Sequence, residues 1–172
     1  MINEYECLMN IENDTKMKDK EGKMIESVRK MKENDVVVQK TLRLDKKQVY
    51  QAWLEPQSMA KWFCPIPGGH SEVECDPTVG GEFKIDMISP DGSTVPHWGV
   101  YKTIDPHDVL EFTWNSPHAS DTLVRLEFKT VDEGTELTLI HSGLDTEKAR
   151  SGHQDGWTSI VQRFSDNLVA VG

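Results

Sequence analysis

The feature that most constrains this chain is a change of hydrophobic period. Six strand-like stretches, "SEVEC", "GGEFKIDMI", "HWGVYKTI", "VLEFTW", "TLVRLEFKT" and "TELTLIH", follow one another between Ser71 and His141. Hairpin-forming "PDG", "DPHD" and "DEG" lie among them. Several alternate strictly. Phe83, Ile85 and Met87 oppose Glu82, Lys84 and Asp86; Leu110, Phe112 and Trp114 oppose Glu111 and Thr113; Val124, Leu126 and Phe128 oppose Arg125, Glu127 and Lys129. Leu137, Leu139 and His141 share one face of the last stretch. After Trp157 the period changes, and Ile160, Val161, Phe164, Leu168 and Val171 recur at helical spacing. Half-polar strands joined by short turns make one antiparallel sheet with a single buried face. The only remaining element long enough to cover that face is the terminal helix.

The elements upstream complete the order. "VVVQKTLRL" is a β-rich run with Val36, Val38, Lys40, Leu42 and Leu44 on one face. Asp45 is placed to cap a first short helix with Val49, Ala52 and Trp53 on its apolar face, and Pro56 to start a second. The expected fold class is therefore α+β: a curved seven-stranded antiparallel sheet wrapped around a long C-terminal helix, with two short helices after the first strand.

Residues 1–34 form a separate expectation. They are polar and Lys/Glu-rich, with Met9, Met17, Met24 and Met31 scattered through them. A disordered or loosely helical extension is expected there, with the folded domain at 35–172; the sharper alternative is a short helix with Met24, Ile25, Val28 and Met31 on one stripe, packing on the domain or on a partner. The start of the chain carries acids and no apolar core of a signal peptide, and no run reaches the length of a membrane span, so a cytoplasmic protein is expected. A net charge of −10 opposes binding to a phosphate backbone. Cys7, Cys64 and Cys75 show neither CxxC nor zinc-finger spacing, so no metal set and no disulfide framework is expected.

Five further marks stand in order along the chain: Trp53, Pro56, Met59 and Trp62 in "W-x-x-P-x-x-M-x-x-W"; Asp76, Gly80, Gly81 and Phe83 in "DPTVGGEF"; Gly99 and Tyr101 in "GVYKTIDP"; His141 and Gly143 in "LTLIHSG"; and His153, Gly156 and Trp157 in "HQDGW". With these marks the chain resembles the helix-grip superfamily of START-like (SRPBCC) domains over about residues 36–171. Within it, the chain is similar to the bacterial group named for the activator of heat-shock protein 90 ATPase. The resemblance implies an apolar cavity between sheet and helix. It departs at Thr78, where relatives commonly carry arginine, and at Trp62–Phe63, where a tandem tryptophan is common. A chaperone partner is the weaker implication, because the eukaryotic co-chaperone uses a further domain that 34 residues are too short to supply.

The function expected from these residues is non-catalytic binding of a small hydrophobic or aromatic molecule. The candidate ligand-binding residues are Trp62, Met87, His97, Phe112, Trp114, His141, Trp157 and Phe164. Trp157 is read as opening the terminal helix and capping one end of the cavity, with Gly156 letting the helix start approach the sheet; a plain core anchor is the alternative. Trp53 and Trp62 are expected either to close the opposite end or simply to pack in the core. His141 is either a ligand-contacting group or a core histidine satisfied by a backbone carbonyl, and His153 takes a polar first-turn role or touches His141. The inward face around His97, Trp98 and Tyr101 stays open, with Gly99 hinting at a bulge; His107 and His118 are read as solvated. No catalytic residues and no cofactor are expected, since G-x-S-x-G, HExxH, Walker and GxGxxG patterns are all missing. The neighbouring Ser151, His153 and Asp155 do not make a triad by adjacency. Two other readings are a cyclase/dehydratase-type enzyme with His141, helped by His97 or Tyr101, as general acid/base, and a protein-binding regulator.

Overall fold

The computed structural model describes residues 31–169. The expected extension up to residue 30, its Met24, Ile25 and Val28 stripe, and Val171 of the terminal stripe fall outside the described residues. The order is β1 (Val36–Leu42), α1 (Lys46–Ala52), α2 (Pro56–Trp62), β2 (His70–Cys75), β3 (Glu82–Ile88), β4 (Thr94–Asp105), β5 (Val109–Ser116), β6 (Ala119–Val131), β7 (Gly134–Ser142) and α3 (Glu147–Val169).

All seven strands form one antiparallel sheet in the order β1-β7-β6-β5-β4-β3-β2. Each hairpin brings sequence neighbours together, and β1 closes the order by pairing with β7. The register aligns the inward residues into rows across the strands. One row runs Val38, Leu139, Leu126 and Leu110; the next runs Val36, His141, Val124, Phe112 and Tyr101. Nine of these residues share the sheet's inner face, and only His141 among them carries an imidazole. The outer face is polar, and Arg125 there pairs with Glu127 at 2.7 Å and Glu111 at 3.5 Å.

The short helices form for local reasons. Asp45 Oδ1 accepts the Gln48 N–H at 2.9 Å while Gln48 Oε1 accepts the Asp45 N–H, a reciprocal cap on α1. Pro56 occupies the first turn of α2, where its missing N–H costs nothing. They deliver Trp53, Trp62 and Phe63 onto one end of α3. Trp62 lies 4.4 Å from Phe164 and 4.7 Å from Trp53 between ring centroids, and Trp53 lies 5.6 Å from Phe164.

α3 differs from its expected start. It begins at Glu147, so Trp157 is its eleventh residue and does not open it. The ten residues before the tryptophan, "EKARSGHQDG", contain two glycines and no apolar stripe, so period analysis had nothing to register. The stripe that follows is buried at Trp157, Ile160, Val161 and Phe164. Gln154 Nε2 donates to the Val37 carbonyl at 3.1 Å, and Lys40 Nζ donates to Gln162 Oε1 at 2.9 Å, tying the helix to the edge strand β1. Arg163 donates to the carbonyls of Cys64, Ile66 and Gly69, fastening the loop between α2 and β2 to the same helix.

Glycine positions also correct two expectations. A Cβ on Gly156 would meet nothing within 4 Å, so this glycine permits no close approach to the sheet. Gly99 does: a Cβ there would sit 1.9 Å from the Thr113 carbonyl oxygen and 2.7 Å from the Phe83 ring. The β4 irregularity that Gly99 suggested falls two residues later, between Tyr101 and Thr103. Gly99→Ala is therefore expected to destabilise the domain by about 1–3 kcal/mol, because backbone and a buried ring must both shift. Chemical denaturation of the variant measures this, and an unchanged midpoint would contradict the close approach.

Candidate functional site

The interface between helix and sheet is divided. Around Trp53, Met59, Phe63, Phe83, Ile85, Tyr101 and Phe112 only about 10 Å³ is empty, too little for more than one water. At the other end, between the N-terminal half of α3 and strands β3, β4 and β5, lies an open cavity of about 540 Å³. Small-molecule sites typically have this size.

The inner walls are Met87, Val95, His97 and Trp114 from the sheet, faced by Trp157 and Ile160 from α3. Strand alternation places the sheet residues, since His97 and Tyr101 point inward while Trp98 is 48% exposed on the outer face. The α3 side is built from Ala149, Gly152, His153 and Gly156, all within one helical face. Pro65 and Ile66, on the loop held by Arg163, form one edge. Ser116, His118, Thr146 and Lys148 complete the mouth.

Each glycine within a helix costs about 1 kcal/mol relative to alanine. Neither Gly152 nor Gly156 has a neighbour that would clash with a Cβ. Packing therefore does not require them, and both face the space. Their effect is to keep the helix side of the cavity bare.

The expected site residues separate into three groups. Met87, His97, Trp114 and Trp157 line the cavity. Trp62, Phe112 and Phe164 do not: they belong to the filled half, where Trp53 and Trp62 pack against Phe164. His141 stands behind the wall, fully buried. Trp157 meets Trp114 at 4.8 Å and Phe63 at 5.8 Å between centroids, so it marks the boundary between filled and hollow halves. Ser116, His118, Thr146, Lys148, Ala149 and Gly152 were missed, as were Pro65 and Ile66. Among them only Gly152 carries a signal in the sequence, as one of two glycines in the ten residues before Trp157. His118, expected to be solvated, is exposed at the mouth, while His107 packs edge-on to Tyr50 at 5.2 Å.

His141 is bonded on both sides. Trp157 Nε1 lies 2.9 Å from its Nδ1, and Thr122 Oγ1 lies 2.8 Å from its Nε2. An indole N–H can only donate, so Nδ1 accepts and the ring proton resides on Nε2. That proton goes to Thr122 Oγ1, and the threonine hydroxyl donates in turn to the Trp114 carbonyl at 2.6 Å. A directional chain thus links the two tryptophans of the cavity wall through neutral imidazole. The carbonyl partner expected for a core histidine is replaced by a side-chain hydroxyl. His153 does touch His141, edge-on at 4.9 Å, and its Nδ1 is 2.7 Å from the Ala149 carbonyl.

Burial, helped by the neighbouring His153, pushes His141 down to about 3. Burial also pushes His97 down to about 4, against the favourable carbonyls of Val95 and Ile85. Both rings are neutral near pH 7. Tyr101 cannot serve His141 across a small substrate. They occupy the same row three strand spacings apart, about 14 Å, and burial raises the tyrosine hydroxyl well above its usual range.

The family model described as "Activator of Hsp90 ATPase homolog 1-like protein" matches residues 43–168. Among solved structures, a protein from Chromobacterium violaceum superposes with a TM-score of 0.71 at 23% identity, covering 77% of this chain and 96% of that one. The AHSA1-like protein from Aeromonas hydrophila gives 0.72 at 21% identity, covering 80% and 94%. A protein from Nitrosomonas europaea gives 0.70 at 20%, covering 81% and 97%. Identities of this size carry the fold alone. No curated protein matches the sequence. No helix among the described residues is long and apolar enough to cross a membrane.

The two depressed histidines fix the sign of an acid response. The unfolded chain binds protons at these rings from about pH 6.5 downward, while the folded chain resists until about 4 and 3. Their contribution is complete above pH 6.5 and is lost progressively as pH falls toward those values. Between pH 5.5 and 4.5 the two together are expected to steepen the loss of unfolding free energy by up to about 2.7 kcal/mol per pH unit. Urea titrations of wild type and His97→Gln across that window test this, with a shallower slope expected for the variant.

Proposed function

The chain belongs to the family of activator of Hsp90 ATPase homolog 1-like proteins, and from that premise we propose that it is a small-molecule-binding domain whose cavity takes a hydrophobic or aromatic ligand without transforming it. The observation that carries this reading is the hollow half of the helix–sheet interface, about 540 Å³ between Trp114, Met87 and Trp157, kept open by two helix glycines that no contact requires. Trp114 and Trp157, each only about 2% exposed, form the back of the wall, and apolar burial at roughly 25 cal/mol per Å² supplies the main driving force.

The polar groups support carriage over general acid–base chemistry. His141 offers neither a free lone pair nor a free N–H, because Trp157 and Thr122 occupy both nitrogens. His97, pushed down to about 4, is an interior hydrogen-bonding group at neutral pH and a weak base. Trp62, Phe112, Phe164 and His141 shape the cavity from behind and contribute no surface to it. Trp157 acts as its inner wall, and the His141–Thr122 pair fixes that wall's angle.

Filling the cavity tests the reading. Gly156→Leu is expected to fold, to retain or slightly raise the thermal midpoint, and to abolish binding of an apolar ring compound such as naphthalene. Gly156→Ala is expected to add about 0.5–1 kcal/mol of stability. The measurement is tryptophan fluorescence during titration, alongside native mass spectrometry of protein purified from its own host for a co-purifying small molecule. Undiminished binding in Gly156→Leu would place the ligand elsewhere.

A further inference from the structure

The mouth of the cavity carries a chemical bias that its apolar interior does not explain. The chain has 29 Asp and Glu residues against 19 Lys and Arg, yet no carboxylate among the described residues lines the cavity. Its one lysine or arginine lining residue is Lys148, on the first turn of α3. Lys148 makes no ion pair or side-chain hydrogen bond among the described residues. Asp145 and Glu147 precede it in sequence but contribute nothing to the lining.

The hydroxyls nearby are turned the same way. Thr146 Oγ1 accepts the Ala149 N–H at 3.1 Å, and Ser116 Oγ accepts the His118 N–H at 3.1 Å. Both therefore hold their acceptor oxygens on backbone and keep an O–H proton that no described group receives. His118 stands beside them at the mouth, and His153 lines the wall below. A cation and two uncommitted O–H donors, with no carboxylate among the described lining residues, form a donor-rich rim around the apolar interior. Such a rim fits the oxygen atoms of an anion.

We infer that the cavity selects an amphiphile with one anionic head, a monocarboxylate carried on an aromatic or alicyclic body, the head at Lys148, Thr146 and Ser116 and the body against Trp114 and Trp157. This rests on the reading of the cavity as a ligand site. The carboxylate keeps partial contact with water at the rim, so it escapes the full desolvation that burial deeper beside Met87 would impose. The ring body supplies most of the affinity and the head supplies the choice among bodies of equal size.

The experiment compares 2-naphthoate with 2-naphthylmethanol, which share a ring system and differ in charge, by calorimetric titration of the full chain at pH 7.5 and low ionic strength. The acid is expected to bind about five-fold more tightly, the upper range for a partly exposed ion pair. High salt is expected to narrow the difference. Lys148→Glu is expected to remove the preference, while Lys129→Glu, an equal charge change on exposed β6 outside the lining, leaves it in place. Equal affinities for acid and alcohol would overturn the anionic head and leave the apolar site standing. Failure of both compounds to bind would sink both readings. Equal loss in the two lysine variants would show a general field effect and overturn the assignment to the rim.

Discussion

One helix cannot fill the inner face of seven strands. Six strand spacings span about 29 Å, while a helix with its side chains is about 10 Å across. The sheet must therefore curl, and whatever the helix leaves uncovered must be filled by something else or remain empty. Here α1 and α2 fill one side by delivering Trp53 and Trp62 onto Phe164, with Phe63 packed against both tryptophans. Among the described residues nothing equivalent reaches the other side. The cavity follows from that asymmetry of supply.

The boundary between the two halves is held by polar bonds inside an apolar core. Trp157, His141, Thr122 and the Trp114 carbonyl form a chain in which every donor has one acceptor and the direction of each proton is determined. A buried imidazole with both nitrogens paired avoids the cost of an unsatisfied polar group. The chain also crosses three elements, β7, β6 and α3, before it ends on β5. It sets the angle of one buried tryptophan to the other at the back of the cavity.

Much of the fold was legible because it follows from periodicity. Alternation in β3, β5, β6 and β7 identified the inward residues, and Asp45 and Pro56 marked the short helices by cap chemistry. The start of α3 was not legible. A helix that borders a void has no reason to carry an apolar stripe, so its first ten residues lack the only signal that period analysis reads. For the same reason the expected site was drawn too far into the packed core. Large aromatic residues such as Trp62, Phe112 and Phe164 draw attention in a sequence, yet they are the ones that fill space. Gly152, Thr146, Ser116 and Lys148 define the opening by being small, hydroxylated or charged, which in a sequence looks like ordinary surface. His97 and Tyr101 were ambiguous because apolar and polar residues fall on both faces of β4, and the close approach of Phe83 and the Thr113 carbonyl explains the glycine between them.

The two glycines of α3 have a further consequence for motion. They fall where the helix has little beneath it, so the segment from Glu147 to Gly156 combines weak intrinsic helicity with sparse packing, while the segment from Trp157 onward is anchored in the core. The element is thus packed densely in its second half and sparsely in its first. An occupant of the hollow would complete the underside of that first half, so that filling the space and ordering the segment would be one thermodynamic event.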